Sequence, residues 1–140
     1  MSEPDQQQTP SAAPVLVGIG LSQRDGKYLV RQRPEGTVYA GYWEFPGGKL
    51  EPGESVEETT ARECYEETRL EVVVTKLRRV IEHHYPHGYV RLHFFDCIPA
   101  TADAEPSAES GCQWMDAADL AGLRFPEANE PILDELARKA

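Results

Sequence analysis

Acidic side chains dominate one short stretch of this chain, between positions 51 and 71. It holds eight glutamates and two arginines, namely Glu51, Glu54, Glu57, Glu58, Glu63, Glu66, Glu67 and Glu71 with Arg62 and Arg69. On a helix, residues three and four positions apart share a face, so Glu63 would lie beside Glu66 and Glu67. Such like charges repel one another unless a divalent cation lies between them. Carboxylates suit Mg²⁺ or Mn²⁺, which bridge readily to phosphates, so the spacing indicates metal-assisted chemistry on a phosphate compound.

The same glutamates also fit a simpler interpretation, a solvated acidic face on a surface helix. Two local features favour a site instead. Ser55 and Glu58 form a capping-box pattern, which predicts a helix that begins after Ser55 and runs to about Thr68. Upstream, the Gly47-Gly48 pair permits a turn that can bring a backbone carbonyl close to the carboxylates.

The rest of the chain alternates between strand and helix signals. Residues 34–54 carry five glycines and three prolines around the apolar stretch 42–45, which predicts an anchored loop, and 99–111 predicts a second loop. Strands are predicted at 15–21 and 27–32, beginning at 72–74, and at 77–84, 89–98 and 113–115, with a helical turn at 117–120 and a helix at 130–139. Strands interleaved with two helices indicate an α/β fold with a mixed sheet flanked by helices.

Length and composition limit the class of protein. A chain of 140 residues with 40% hydrophobic residues fits one domain with one core. The polar segment 1–14, with three prolines and no apolar block, predicts a disordered tail rather than a secretory signal, and leaves 15–140 as the folded domain. No apolar run reaches the roughly 20 residues that span a bilayer, so we expect no membrane partner.

Charge and cysteine content narrow the function further. The net charge of −10 lacks the basic excess that neutralises nucleic-acid phosphates, so we expect no nucleic-acid polymer as partner. A small nucleotide held through a metal ion is compatible with this charge. Cys64, Cys97 and Cys112 form no C-x-x-C pair, which argues against a zinc ribbon or a disulfide framework and indicates a reducing compartment. We therefore expect a cytoplasmic protein, and a monomer.

The glutamate-rich stretch resembles the Nudix box, whose pattern is G-x5-E-x7-R-E-U-x-E-E-x-G-U with U an apolar residue. The matching residues are Gly48, Glu54, Arg62, Glu63, Cys64, Glu66, Glu67 and Leu70. Arg69 replaces the second glycine at the helix end, where a left-handed conformation would cost it roughly 1 kcal/mol unless the helix ends differently. The stretches 43–49 and 125–131 are similar to MutT-type members of the family. The resemblance implies the Nudix fold, an α/β/α sandwich around a mixed β-sheet.

The resemblance also implies a divalent metal site, with Mg²⁺ as the expected ion and Mn²⁺ as an alternative. The expected ligands are the Gly48 carbonyl and the carboxylates of Glu63, Glu66, Glu67 and Glu109. Glu109 belongs to loop 99–111, where Glu105 is its rival and where a solvent-exposed acid is equally compatible with the sequence.

Three box residues are expected to take part in the reaction itself. Glu63 would accept a proton from the attacking water. Arg62 precedes Glu66 by four residues, so it could orient that carboxylate and offset its charge. Glu54 would support the site from the loop. Family behaviour implies a nucleoside triphosphate substrate and release of a nucleoside monophosphate and pyrophosphate.

Four residues are expected to contact the nucleotide. Asn129 would read the base, because an amide offers both a donor and an acceptor, although its place before Glu130-Pro131 also suits a helix N-cap. Arg33 matches a substrate-contacting arginine of MutT-type proteins, and the backbone near Phe45 matches a base-contacting segment. Lys49 could meet a phosphate. Arg33 and Lys49 could equally be solvent-exposed.

The leading functional hypothesis is an 8-oxo-dGTP diphosphatase that removes oxidised nucleotides from the pool used in DNA replication. This activity is grouped with DNA repair because it prevents incorporation of the oxidised base. The runner-up is a pyrimidine triphosphate pyrophosphatase of the CTP or dCTP type. A non-catalytic nucleotide-binding regulator and an accessory domain of a DNA repair enzyme are less favoured, since binding alone would not need the full carboxylate set. His83, His84 and His87 suggest a zinc site, but neighbours in a strand point to opposite faces, which favours ordinary surface histidines.

Overall fold

A mixed β-sheet forms the centre of the computed structural model, which describes residues 13–86 and 88–139. Within these residues the strands are β1 (Val15–Arg24), β2 (Lys27–Gln32), β3 (Trp43–Glu44), β4 (Gly47–Lys49), β5 (Val72–Tyr85), β6 (Gly88–Pro99) and β7 (Gln113–Asp116). The helices are α1 (Val56–Thr68), α2 (Ala117–Leu120) and α3 (Glu130–Lys139). Single 3₁₀ turns at Ala108–Ser110 and Glu127–Asn129 precede β7 and α3.

Strand β1 joins the two halves of the sheet. It runs parallel to β6, with Val15 opposite Val90 and Ser22 opposite Cys97. Its other side is shared, because residues 17–19 pair antiparallel with β4 and the end of the strand pairs antiparallel with β2. The sheet order is β3-β2-β1-β6-β5, with β4 beside β1 and β7 beside β2. The shared side brings the glycine-rich β4 next to α1.

Helices cover both faces of the sheet. In β6, Phe94 packs in one core cluster with Ile132 of α3, whereas the adjacent Phe95 packs in a second cluster with Cys64 of α1. Successive side chains of a strand point to opposite faces, so this alternation places α1 on one side and α3 on the other. The α/β/α sandwich expected from the sequence is confirmed.

Helix α1 packs directly against the backbone of β1 at Gly18. A Cβ atom at this position would come within 2.7 Å of the Val56 carbonyl oxygen in the first turn of the helix. A larger residue would push the helix away from the sheet. Gly18 therefore sets the depth at which the glutamates of α1 lie.

The helices match the predictions from the sequence. The capping box is formed, because the Glu58 amide donates to Ser55 Oγ at 3.1 Å and the Ser55 amide donates to Glu58 Oε1 at 2.9 Å. Helix α1 ends at Thr68 as predicted, and α3 spans the predicted residues. Arg69 adopts the left-handed conformation with φ of 63° and lies over the Tyr65 ring at 5.4 Å, so the helix end keeps the geometry of the family glycine.

The prediction that 34–54 is only a loop was wrong, since β3 and β4 lie within it. Gly47 and Gly48 carry no β-branched side chain that would indicate a strand, and their extended conformation comes from pairing with β1. Strand β1 also continues past the predicted end at residue 21.

Some expectations concern residues beyond the structural description. Residues 1–12 of the expected tail, and His87, lie outside the described residues. Among the helices that are described, none combines the length and the apolar character needed to cross a membrane.

Candidate active site

Arg62 organises the glutamates on the surface of α1. Its Nε and Nη2 donate to the two carboxylate oxygens of Glu54 at 2.6 and 2.9 Å. Nη1 donates to Glu63 at 3.1 Å and to Glu66 at 3.2 Å, so the predicted contact with Glu66 is present. Nη2 also donates to the Lys49 carbonyl at 3.3 Å, which ties α1 to β4. One arginine thus holds the carboxylates of Glu54, Glu63 and Glu66 together around its guanidinium group.

Glu54 is held in its ionised form. Besides Arg62, its Oε1 accepts hydrogen bonds from the Thr59 hydroxyl at 2.7 Å and the Glu51 amide at 2.9 Å. The hydrogen bonds from Arg62, Thr59 and Glu51, in that order, lower the pKa of Glu54 to about 2. The same contact raises the pKa of Arg62. A carboxylate with so low a pKa binds no proton near neutral pH, so Glu54 anchors the arginine rather than exchanging protons.

Glu67 has the opposite electrostatic environment. Burial raises the pKa of its carboxyl well above the usual range, and the charges of Glu44 and Glu63 add to this rise. Arg31, at 4.0 Å, and the Gly47 amide, which donates at 3.3 Å, only partly offset it. A carboxylate that is buried among other carboxylates gains from a nearby cation. The environment of Glu67 therefore fits a cation-binding role.

The backbone at Gly48 lies against the Glu63 carboxylate. A Cβ atom at Gly48 would come within 2.6 Å of Glu63 Oε2, so a larger residue at Gly48 would require the carboxylate to shift. Carboxylate oxygens next to a backbone carbonyl oxygen form the donor set that hard divalent cations prefer. The residues at this site fit such an ion. In 13–86 and 88–139, no three His, Cys, Asp or Glu side chains already converge as metal ligands, because Glu63 and Glu66 turn toward Arg62.

Arg31 and Glu44 extend the charged cluster across β2 and β3. Arg31 Nε donates to Glu44 Oε2 at 2.8 Å, and the other oxygen of Glu44 accepts a hydrogen bond from Arg33 Nη1 at 2.7 Å. Alternating charges therefore run from Glu67 through Arg31 and Glu44 to Arg33. Arg31 and Glu44 are not among the residues predicted from the sequence, because they meet through the β2–β3 pairing, in which they are directly opposite.

An open cleft of about 300 Å³ lies on the α3 face of the sheet, next to Glu44. The aliphatic side chains of Val17, Ile19 and Leu92 line its floor. The buried ring of Phe45 forms one wall, and it packs at 5.1 Å against the ring of Phe125. Such an apolar cavity with a few polar groups at its edge suits a flat organic ligand.

Asn129 and Arg33 both line this cleft. Asn129 Nδ2 donates to the Pro126 carbonyl at 3.1 Å, so the preceding turn, and not an amide of α3, fixes its orientation. The amide oxygen accepts no hydrogen bond from the described residues. Arg33 is already engaged, because it contacts Glu44 and its Nε donates to the Val38 carbonyl at 2.6 Å. Asn129 is thus better placed than Arg33 to meet a ligand without rearrangement.

Lys49 lies on the exposed side of β4. Its contact with the charged cluster is made by the backbone carbonyl, which accepts the hydrogen bond from Arg62. A contact between the Lys49 ammonium and a phosphate stays a prediction.

The two candidate acids of loop 99–111 have different surroundings. Glu105 forms an ion pair with Arg24 and accepts a hydrogen bond from the Trp114 indole at 3.1 Å. Glu109 is exposed on the 3₁₀ turn that precedes Cys112. Burial raises the pKa of the Cys112 thiol, and charges of the cluster, including that of Glu67, also act on it. A role of Glu109 or Glu105 as a further metal ligand stays a prediction.

His83 and His84 of the β5–β6 hairpin pack against aromatic rings. His83 meets the Tyr85 ring edge-on at 4.4 Å, and His84 stacks on the Tyr89 ring at 4.1 Å. These contacts account for both side chains without a metal.

Comparisons with known proteins all indicate the same family. A family model described as a NUDIX domain matches residues 17–135. The CTP pyrophosphohydrolase of Escherichia coli (strain K12) is 50% identical over 120 residues, which cover 86% of this chain and 89% of the relative. The 8-oxo-dGTP diphosphatase of the same organism is 30% identical over 126 residues, which cover 89% of this chain and 95% of the relative.

Solved structures share the fold. A MutT protein from Methanosarcina mazei Go1 superposes with a TM-score of 0.77 at 24% identity, covering 91% of this chain and 96% of that one. The solution structure of the E. coli ORF135 protein gives a TM-score of 0.71 at 28% identity, with 89% of each chain covered.

Proposed function

The chain belongs to the Nudix hydrolase family, and on that premise we propose that it hydrolyses nucleoside triphosphates at the α–β phosphoanhydride bond. The oxygen of water adds to phosphorus while the bridging P–O bond breaks, and the products are a nucleoside monophosphate and pyrophosphate. We propose cytidine triphosphates, CTP and dCTP, as the preferred substrates.

The observation that carries the proposal is a surplus of carboxylates beside an aromatic-walled cleft. Glu44 lines the cleft and contacts Arg31, and Arg31 lies next to Glu67 on α1. A nucleotide with its base in the cleft would therefore extend its phosphates past Glu44 toward α1. Polyphosphate and carboxylates repel each other, so such a complex requires cations between them.

A divalent cation fits the residues on α1 and β4. We propose that the Gly48 carbonyl, Glu63, Glu66 and Glu67 hold Mg²⁺, with Mn²⁺ as an alternative and Glu109 as a further ligand. When bound, the ion would neutralise phosphate oxygens and activate the attacking water.

The remaining steps belong to side chains of the chain itself. A carboxylate oxygen of Glu63 would accept the proton that the attacking water loses. Arg62 would keep Glu63 and Glu66 oriented, and ionised Glu54 would hold Arg62 in place. The Lys49 ammonium would offset phosphate charge, and Arg33 would do so once the substrate displaces Nη1 from Glu44.

Two observations support a cytosine base. The relative of higher identity, at 50% over most of both chains, is a CTP pyrophosphohydrolase. In the cleft, the amide oxygen of Asn129 would accept a hydrogen bond from the exocyclic amino group of cytosine, and the backbone near Phe45 would meet its ring. The 8-oxo-dGTP diphosphatase at 30% identity supports 8-oxo-dGTP as the second candidate, since guanine also carries an amino group.

A kinetic panel tests the proposal directly. CTP, dCTP, dGTP and 8-oxo-dGTP are compared with Mg²⁺ and with Mn²⁺, and nucleoside monophosphate and pyrophosphate are quantified. We expect the highest kcat/KM with CTP or dCTP. A higher kcat/KM with 8-oxo-dGTP would contradict CTP and dCTP as the preferred substrates and support the second candidate. Nucleotide binding without turnover in the panel would instead indicate a non-catalytic regulator and refute the hydrolase.

The role of Asn129 is tested by Asn129→Ala. Loss of one base-directed hydrogen bond should raise KM for the preferred nucleotide by about tenfold, with kcat little changed. Unchanged discrimination among the four nucleotides would rule out base reading by Asn129.

A further inference from the structure

Two tyrosines that line the cleft pack against each other, and we infer that they act as an aromatic gate over the nucleobase. Tyr39 comes from the connection 33–42 between β2 and β3, and Tyr85 ends β5. Both line the cleft, and their ring centroids are 6.0 Å apart with planes at 62°. The inference rests on the proposed function, because it concerns which base enters the same cleft.

The backbone of the connection holds Tyr39 in place. The Arg33 amide donates to the Tyr42 carbonyl at 2.7 Å, and the Gly41 amide donates to the Arg33 carbonyl at 3.0 Å. The Arg33 side chain adds its hydrogen bond to the carbonyl of Val38, immediately before Tyr39. Tyr39 has φ of 61°, a conformation that L-residues disfavour and that persists where the surroundings impose it, often at ligand sites. Its ring is therefore preset at the cleft.

Tyr85 reaches the cleft from the end of β5. Its ring is half-buried and meets the ring of His83 edge-on. Burial raises the pKa of the Tyr85 hydroxyl, and the charges of Tyr39 and Glu127 act in the same direction. The residue thus presents a neutral ring with a polar tip, which suits a nucleobase that is apolar on its faces and polar at its edge.

The contact between the rings decides how a base meets them. The two rings already touch edge to face, so no base fits between them as a sandwich. The base would lie beneath the aromatic gate, on the aliphatic floor formed by Val17, Ile19 and Leu92. A roof of two fixed rings limits the size of the base. The aromatic gate would therefore favour the single ring of a pyrimidine over the fused rings of 8-oxoguanine.

Tyr39→Gly tests the aromatic gate with little risk to folding, because glycine accepts a φ of 61° and the ring alone is lost. We expect KM for CTP to rise about tenfold, the scale of one base–aromatic contact, while kcat changes by less than about twofold. The preference for CTP over 8-oxo-dGTP in kcat/KM should fall by a similar factor. Tyr39→Phe keeps the ring and should restore KM.

Tyr89→Ala is the matched control on the same hairpin. Tyr89 stacks on His84 and donates its hydroxyl to Glu82 at 2.6 Å, and it does not line the cleft. Its loss should leave KM for every nucleotide unchanged. Mn²⁺ uptake by titration calorimetry should be the same in Tyr39→Gly and the parent protein, which separates base contact from metal binding.

The outcomes distinguish the aromatic gate from the proposed function. If the parent protein hydrolyses CTP but Tyr39→Gly and Tyr85→Ala keep its KM, the gate is overturned and the hydrolase stands. If the parent protein hydrolyses none of the nucleotides, the hydrolase fails. Calorimetric binding of cytidine monophosphate then decides on the gate: weaker binding in Tyr39→Gly than in Tyr89→Ala supports it, and equal or absent binding overturns it.

Discussion

Two arginine-centred clusters lie on opposite faces of the sheet, and their charges are balanced differently. On the α1 face, Arg62 contacts Glu54, Glu63 and Glu66, and Glu67 lies beyond them. Negative charge exceeds positive charge there, and burial raises the pKa of Glu67, with the charges of Glu44 and Glu63 adding to the rise.

On the α3 face the charges match. Arg78 donates to Asp96 at 2.7 Å and to Glu135 at 3.0 Å, and Arg79 donates to Glu135 at 3.3 Å. Two cations thus meet two anions between β5, β6 and α3. A balanced cluster compensates its own charges, so that removal of one partner leaves a charge unpaired, whereas an unbalanced cluster gains from a ligand of opposite charge. The contrast indicates that the α3 cluster is structural and that the α1 cluster serves binding and chemistry.

The largest expected effect is on activity, from Glu67→Gln. We expect kcat/KM to fall by roughly two to three orders of magnitude with Mg²⁺, because a proposed metal ligand is lost. Unfolding by denaturant in metal-free buffer should show no loss of stability, since a repulsive charge has been removed. Glu57→Gln, an exposed acid of the same helix, is the control. Full activity in Glu67→Gln would contradict the assignment of the α1 cluster to binding and chemistry.

The next effect is on stability, from Arg78→Met. Its removal leaves Asp96 without its cation in a site where Arg78 is only 11% exposed. The free energy of unfolding should fall by about 2–3 kcal/mol, while kcat stays near that of the parent protein. Arg91→Met breaks a pair with Glu82 that is exposed to solvent, and there the loss should be below about 1 kcal/mol. Equal losses in the two variants would mean that burial of the cluster contributes nothing.

Acid pH should weaken the α3 cluster in a predictable direction. Burial alone would raise the pKa of Glu135, but the hydrogen bonds from Arg78 and Arg79 hold it below its ordinary value. The unfolded chain therefore binds a proton at Glu135 before the folded chain does, so this contribution to stability is present above pH of about 4.5 and is lost as pH falls through the lowered pKa. Denaturant unfolding of the parent protein and Glu135→Gln should converge as the pH is lowered. A constant difference at every pH would contradict the ion pairing.

The smallest effect is expected at the end of α1, from Arg69→Gly. Glycine accepts the left-handed conformation that Arg69 now adopts, and the stacking on Tyr65 is a small loss. Thermal unfolding should show a gain of about 0.5–1 kcal/mol, with kcat/KM unchanged. A fall in activity would show that the end of α1, and not only its carboxylates, belongs to the site.

The sequence predicted those parts of the site that depend on local signals. The cap at Ser55, the helix to Thr68 and the grouping of Glu63 with Glu66 follow from spacing along one helix, and all are present. Strands β3 and β4 were missed, because glycine-rich strands form through their partners and not through their own propensity. The contacts of Arg31 with Glu44 and of Tyr39 with Tyr85 join distant segments, so they required the register of the sheet.

The pairing of β4 with β1 also fixes the distance between the part of the site proposed for the base and the part proposed for the phosphates. Gly48, opposite Gly18, faces the carboxylates, while the neighbouring Val17 and Ile19 form the floor of the cleft. A slip of β4 by one residue along β1 would move Gly48 away from Glu63 and reverse the faces to which the β4 residues point. The distance between the base cleft and the carboxylates therefore depends on the register of three residue pairs between β1 and β4. Side chains that line the cleft can change without altering this distance.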